Sequence, residues 1–376
     1  MKRVHHFAVL DGMRGIAAIA VAYFHSAALF GLPSTAHIEL SVDFFFCLSG
    51  FVVAHAYDQR LRDGMPVQQL LQRRLIRLHP LVVAGVILGL IVTAIGCATN
   101  NGVFIGQPYT TKDLLIGSGL CLFLLPAGMV LSKMFYFVDS PLWSLFFEYI
   151  ANLGYALTRG RKGSLLASLL VLGSLFCVLL YVAVAAQGVV RFGLGNVALF
   201  LAGLARLAFP FFAGMLISRF TLYLHVPRVP ELGLMAVFLV FLACPFFEHT
   251  WQYDMFGVAI LVPAFICLGA QASTTDGWLP TWQYLGRISY PLYVLHMPVL
   301  KAVAQTSTVA FHNTVPAPVE LVIALGLSWG LAEIALRYYD GPVRAWLADM
   351  ASGTRKKSTD LGRLPDQGAE VSYQGE

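Results

Sequence analysis

The chain is a succession of apolar stretches, each about as long as a bilayer is thick, and this restricts its fold more than any other property. Crossing a hydrocarbon core of ~30 Å takes about 20 apolar residues of helix. Inside lipid every backbone N–H and C=O must be satisfied, so only helices and closed barrels cross. Suitable stretches fall near residues 8–31, 40–57, 80–98, 142–157, 165–186, 195–218, 232–247, 255–272, 287–306 and 319–337. Charged residues are 12% of the 376, where a soluble domain has ~25%. The sequence therefore predicts an all-α polytopic membrane protein with about ten transmembrane helices.

An eleventh apolar stretch, 114–131, is interrupted by Gly117, Gly119, Pro126 and Gly128. Loop charge decides how to treat it, because Lys and Arg collect on the cytoplasmic side. With ten spans and the N-terminus inside, thirteen Lys and Arg before the C-terminal tail face inward, and Lys112, Lys133 and Arg191 face outward. A full crossing by 114–131 would send the RGRKG loop at 159–163 outside. The expectation is an interfacial or re-entrant helix there, with both termini cytoplasmic. Residues 1–347 read as one membrane domain, and the polar stretch 348–376 as a disordered cytoplasmic tail. The first apolar segment lacks a small-residue cleavage pattern and reads as a retained span. The six cysteines all lie in apolar stretches without metal-ligand spacing and read as packing residues. The sequence offers no Walker motif, no metal cluster and no basis for nucleic-acid binding.

Against this apolar background the ionisable residues stand out, since each is expensive in a span and is a functional candidate by default. Arg14 and His25 lie in LDGMRGIAAIAVAYFH with ten residues between them. Eleven helical steps return to within ~20° of the same face and rise ~16 Å; Asp11 joins that stripe. Packing alone is one reading. The other makes His25 a general base or an acyl-accepting nitrogen, with Arg14 holding an anion or a developing oxyanion.

Four further segments carry polar groups. In SVDFFFCLSGF, Asp43 opens an apolar span, with Arg14 or His25 as its expected partner, and Ser49 and Gly50 read as a close-packing pair. In QRRLIRLHP, Arg73, Arg74 and Arg77 suit either anionic lipid or a phosphorylated cytoplasmic ligand, and Arg74 shares a face with Arg77 if helical. In PLWSLFFEY, Trp143 suits an aromatic belt, and Glu148 needs a partner or a role. In ISYPLYVLHMP, His296 is mid-span with Tyr290 and Tyr293 before it, and on its own reads as a satisfied bundle histidine. Downstream, Pro342 and Arg344 read as the end of the last span.

Taken in order, these five segments resemble the acyltransferase type 3 family of bacterial multi-span membrane proteins, with Asp340 to Arg344 a looser match. The resemblance implies transfer of an acyl group, usually acetyl, from cytoplasmic acyl-coenzyme A to a hydroxyl of a cell-surface polysaccharide, lipopolysaccharide or other glycan or glycolipid. It implies the bacterial inner membrane as the location and the bilayer as a partner. It further implies that His25 is the catalytic histidine and Arg14 its essential partner, with Arg73, Arg74 and Arg77 near the coenzyme A phosphates. Asp43 and Glu148 join the catalytic candidates, and Trp143, Tyr290 and His296 are candidates for substrate contact. No metal is expected. Phe146 and Phe147 precede Glu148 where the family often has a small or β-branched residue, and His79 stands where Tyr is frequent. The rival readings are a transporter for a polar small molecule, using the same buried groups as a pathway, or a component of a polysaccharide export complex.

Overall fold

A computed structural model of the chain describes residues 7–33, 37–99, 109–131, 135–157, 197–248 and 250–351, with Gly173 and Phe176. Apart from Gly173 and Phe176, the expected span 165–186 lies outside these, as do the RGRKG loop and residues 352–376. Among the described residues the fold is helical, with no β-strand. We number the helices α1 (Ala8–Leu29), α2 (Leu40–Arg62), α3 (Val67–Ala98), α4 (Thr111–Leu122), α5 (Gly128–Leu131), α6 (Leu142–Leu157), α7 (Val197–Arg219) and α8 (Glu231–Ala243). They continue as α9 (Thr250–Gln271), α10 (Leu279–Phe311) and α11 (Ala317–Ala351). Helices α9 and α11 each pass through a π-turn, at Gly257–Leu261 and Leu336–Asp340.

Five of these segments, α1, α2 with its preceding turn, α3, α9 and α11, are long and apolar enough to cross a bilayer. Helices α6 and α8 are shorter, with 16 and 13 residues, or roughly 24 and 20 Å at 1.5 Å per residue. Helix α4 has only 12 residues, too few for the ~20 that a single crossing needs. Its start is fixed by a capping box between Thr110 and Asp113, and Leu124 just beyond its end adopts a left-handed φ of 58°.

Helix α3 begins at Val67, not near Pro80 where the sequence places the span. The basic segment is thus helical. Pro80 sits inside the helix, where it removes one backbone donor, and its carbonyl accepts the Tyr339 hydroxyl at 3.0 Å. At the other end of the chain α11 runs on to Ala351, so the first four residues of the expected tail are helical.

Two helix pairs organise the bundle. Helix α1 lies along α10, and α2 along α7. In the second pair the backbones touch: a Cβ at Gly50 would stand 1.9 Å from the Phe211 carbonyl oxygen, and one at Gly214 equally close to that of Cys47. Small residues at such crossings let helices approach within van der Waals contact of their main chains. Arg219 of α7 closes one end of this pair on Asp58 of α2 at 2.7 Å, with the Tyr155 hydroxyl donating to the same carboxylate. Apolar side chains fill the spaces between helices, with Phe44, Phe51, Phe238 and Trp282 in one cluster and Leu81, Phe137, Phe147 and Phe211 in another. Outward faces are apolar too. Ile87, Ile91 and Ile95, four residues apart on α3, are each about half exposed, a stripe suited to hydrocarbon and costly in water.

Candidate functional site

The α1–α10 pairing joins the first and fifth sequence motifs. Arg14 donates from Nε to the Ser289 hydroxyl at 2.9 Å and from Nη2 to the Gly286 carbonyl at 2.6 Å. Asp11, one turn earlier, pairs with the same Nη2 at 3.0 Å. Gly286 has to be small, because a Cβ there would meet the Asp11 side chain at 2.5 Å. Further along α1, His25 Nδ1 lies 2.9 Å from His296 Nε2, the two rings nearly parallel.

The other nitrogen of His296 decides the proton positions. Its Nδ1 faces the carbonyls of Tyr293 at 2.8 Å and Leu292 at 3.1 Å, and carbonyls only accept, so Nδ1 carries the hydrogen. The Nε2 of a neutral His296 is then an acceptor, and His25 must donate to it from Nδ1. That leaves the lone pair of neutral His25 on Nε2. His296 is therefore the partner of His25, not an isolated bundle histidine.

A second junction unites the middle three motifs. Arg74 of α3 pairs with Glu148 of α6, and the Ser49 hydroxyl of α2 donates to the same carboxylate oxygen at 2.8 Å. Ser49 thus bonds where the sequence suggests only packing, while Gly50 packs as expected. Arg77, one turn along α3, keeps accessible surface although it sits among helices, and the charges of Arg74, Arg14, Glu148 and Arg344, from four helices, act on it. Tyr290 of α10 donates its hydroxyl to the Leu78 carbonyl at 2.5 Å, bracing α3 at this point. Arg73 is half-buried on the same helix.

Two expected groups stand elsewhere. Asp43 does not meet Arg14 or His25. Its carboxylate is held bidentately by Arg206 of α7, with Nη2 at 2.7 Å and Nε at 3.0 Å, both side chains fully buried. Helix α2 turns Asp43 towards α7, its tightest neighbour, and so away from the α1–α10 seam. Trp143 is buried rather than placed in an interfacial belt, with the Arg206 guanidinium 5.7 Å from its ring centre. Arg206 is not among the sequence candidates, although its one signal is plain: it is an ionisable residue within an expected span. The same holds for Lys301, buried on α10 with its ammonium on the Phe137 carbonyl at 2.6 Å; the buried His37–Asp254 pair at 2.6 Å joins two residues just outside the expected spans. Among the described residues no group of His, Cys, Asp and Glu is arranged to hold a metal ion.

The chain matches a family described as an acyltransferase domain, the acyltransferase type 3 family, over residues 7–333. It is 36% identical to a Rhizobium radiobacter protein, "Protein 2 in picA locus", over 189 residues, which is 47% of this chain and 94% of that protein. No solved structure matches it. Both motif-bearing junctions lie within the matched region, and the chain belongs to the acyltransferase type 3 family of membrane proteins.

Proposed function

We propose that this protein transfers an acetyl or other short acyl group from acyl-coenzyme A, bound from the cytoplasmic side, to a hydroxyl of a glycan. Its place would be the bacterial inner membrane. The observation that carries this reading is the His25–His296 pair, which orients one imidazole lone pair, on His25 Nε2, within the bundle. Acyl transfer to an alcohol needs such a base.

In this reading His25 Nε2 takes the proton of the acceptor hydroxyl as its oxygen attacks the thioester carbonyl. The carbon–oxygen bond forms, the carbon–sulfur bond breaks, and the His25 imidazolium returns the proton to the departing thiolate. His296 Nε2 accepts the His25 Nδ1–H throughout and stabilises the transient cation. Arg14 serves a different part of the donor. Its anchor Ser289 lies seven residues before His296, ~10 Å along α10, too far for an oxyanion formed beside His25. Its neighbours are instead Arg77 and the cationic cluster, where phosphates would sit, and an extended pantetheine arm would cover the distance from there to His25. A bundle interior limits water and so protects the thioester from hydrolysis.

The test uses purified protein and labelled acetyl-coenzyme A. The enzyme reading expects release of free thiol that depends on an added glycan acceptor and disappears in folded His25→Ala. Accumulation of unmodified solute in proteoliposomes, with no thiol release, would establish the transporter instead.

A further inference from the structure

The charges around Arg77 cancel in pairs, and Arg77 is left over. Arg14 is matched by Asp11 at 3.0 Å, Arg74 by Glu148, and Arg344 by Asp340. Arg77 has no hydrogen bond or carboxylate of its own among the described residues, although these three arginines are among the charges that act on it. It stays accessible to solvent. A second observation points the same way: Arg74 is 5% exposed, and its Nε–H is buried without an acceptor. Buried donors are nearly always satisfied. An unmatched guanidinium beside an unsatisfied N–H calls for an anion with several acceptor oxygens, and guanidinium groups bind phosphate in that way.

We propose that Arg344 is a further phosphate-binding arm of this site, oriented by Asp340, for a donor that carries more than one phosphate group. The proposal rests on the acyl-coenzyme A reading above. Arg344 lies beyond the π-turn of α11, in the segment Gly341–Ala351 that packs against α3. The Tyr339 hydroxyl fixes that turn to the Pro80 carbonyl of α3 at 3.0 Å. Asp340 is fully buried, while the Arg344 side chain is 34% exposed. One carboxylate occupies at most one edge of a guanidinium, which has five donors, so Arg344 retains N–H groups for a ligand. Sequence alone suggests only a boundary anchor, because the π-turn that precedes Arg344 leaves no mark in hydropathy. Arg14, Arg74, Arg77 and Arg344 come from three helices, a spread suited to separate phosphate groups.

Equilibrium titration of the detergent-solubilised full chain with coenzyme A, and with pantetheine as the phosphate-free control, tests this. Arg344→Gln should weaken coenzyme A binding by about tenfold or more, the loss of one charge-assisted contact, and leave pantetheine binding unchanged. Because that variant strands the Asp340 carboxylate, the double variant Asp340→Asn/Arg344→Gln is the folding control. It should melt near the wild-type temperature and still bind coenzyme A weakly. Wild-type affinity for coenzyme A in both variants would overturn the role of Arg344 while leaving the donor reading intact. Equal losses for coenzyme A and pantetheine would also overturn it. Failure of the wild type to bind coenzyme A would remove the donor reading, and this proposal with it.

Discussion

Replacing His296 with alanine removes the acceptor that holds His25 Nδ1–H at 2.9 Å. In the resting enzyme that bond is neutral. Once His25 has taken the hydroxyl proton, the same bond carries a full positive charge on its donor, and bonds to charged groups contribute about 1.5–3 kcal/mol. At ~1.4 kcal/mol per factor of ten, kcat should fall by roughly 10- to 150-fold. The KM for acyl-coenzyme A should stay near its wild-type value, because His296 lies ~10 Å along α10 from the residue that anchors Arg14. His296→Gln puts an amide oxygen near the position of Nε2 and should recover much of the lost kcat. Thiol release over a range of donor concentrations, with melting curves for each variant, separates these effects. A kcat for His296→Ala within twofold of wild type, or equal losses for glutamine and alanine, would refute this role for His296.

Three other perturbations bear on the fold that holds the site. Arg206→Ala leaves Asp43 buried and unpaired and should cost about 3–5 kcal/mol; Asp43→Leu/Arg206→Met should cost far less, and equal melting temperatures for the two would contradict the pairing. Gly50→Ala drives a methyl group into the Phe211 carbonyl oxygen and should destabilise by about 1–3 kcal/mol or more. Gly154→Ala, where nothing lies within 4 Å, should stabilise α6 by about 0.5–1 kcal/mol; similar effects at the two glycines would refute the close approach of α2 and α7. At the start of α8, burial alone would raise the Glu231 carboxyl, but donors from Thr274, Thr275 and Trp282 hold it below its ordinary value. A depressed carboxyl stabilises above its unfolded pKa and loses that contribution as pH falls through the folded value. Glu231→Gln should therefore melt below wild type at pH 7, the gap closing as the pH drops below about 4.5. A gap that persists at lower pH would exclude this origin.

The sequence exposes the membrane helices readily because a span must be apolar over its whole length, and α6 begins where hydropathy places it. It exposes helix partners poorly. Arg14 and His25 share a face by helical arithmetic, but nothing in their spacing says that this face meets Ser289 and His296, some 270 residues away. Asp43 illustrates the same limit: its cost in a span is evident from sequence, yet its partner Arg206 is set by the Gly50–Gly214 crossing, a contact that depends on three-dimensional approach. Pro80 misleads for a local reason, since proline is as compatible with a first turn as with a helix that tolerates one missing bond. Ser49 is small enough to suit close packing, and its hydroxyl bond to Glu148 becomes visible only when α2 and α6 are placed together.

In the proposed mechanism His25 acts as the base of an acyl transfer. The most direct measurement is the rate of thiol release from acetyl-coenzyme A by membranes holding equal amounts of folded wild type and His25→Gln, with glycan acceptor present. The variant should lose about 10²–10⁴ in kcat, the usual contribution of a general base, with donor affinity unchanged. A variant that releases thiol at the wild-type rate would contradict it.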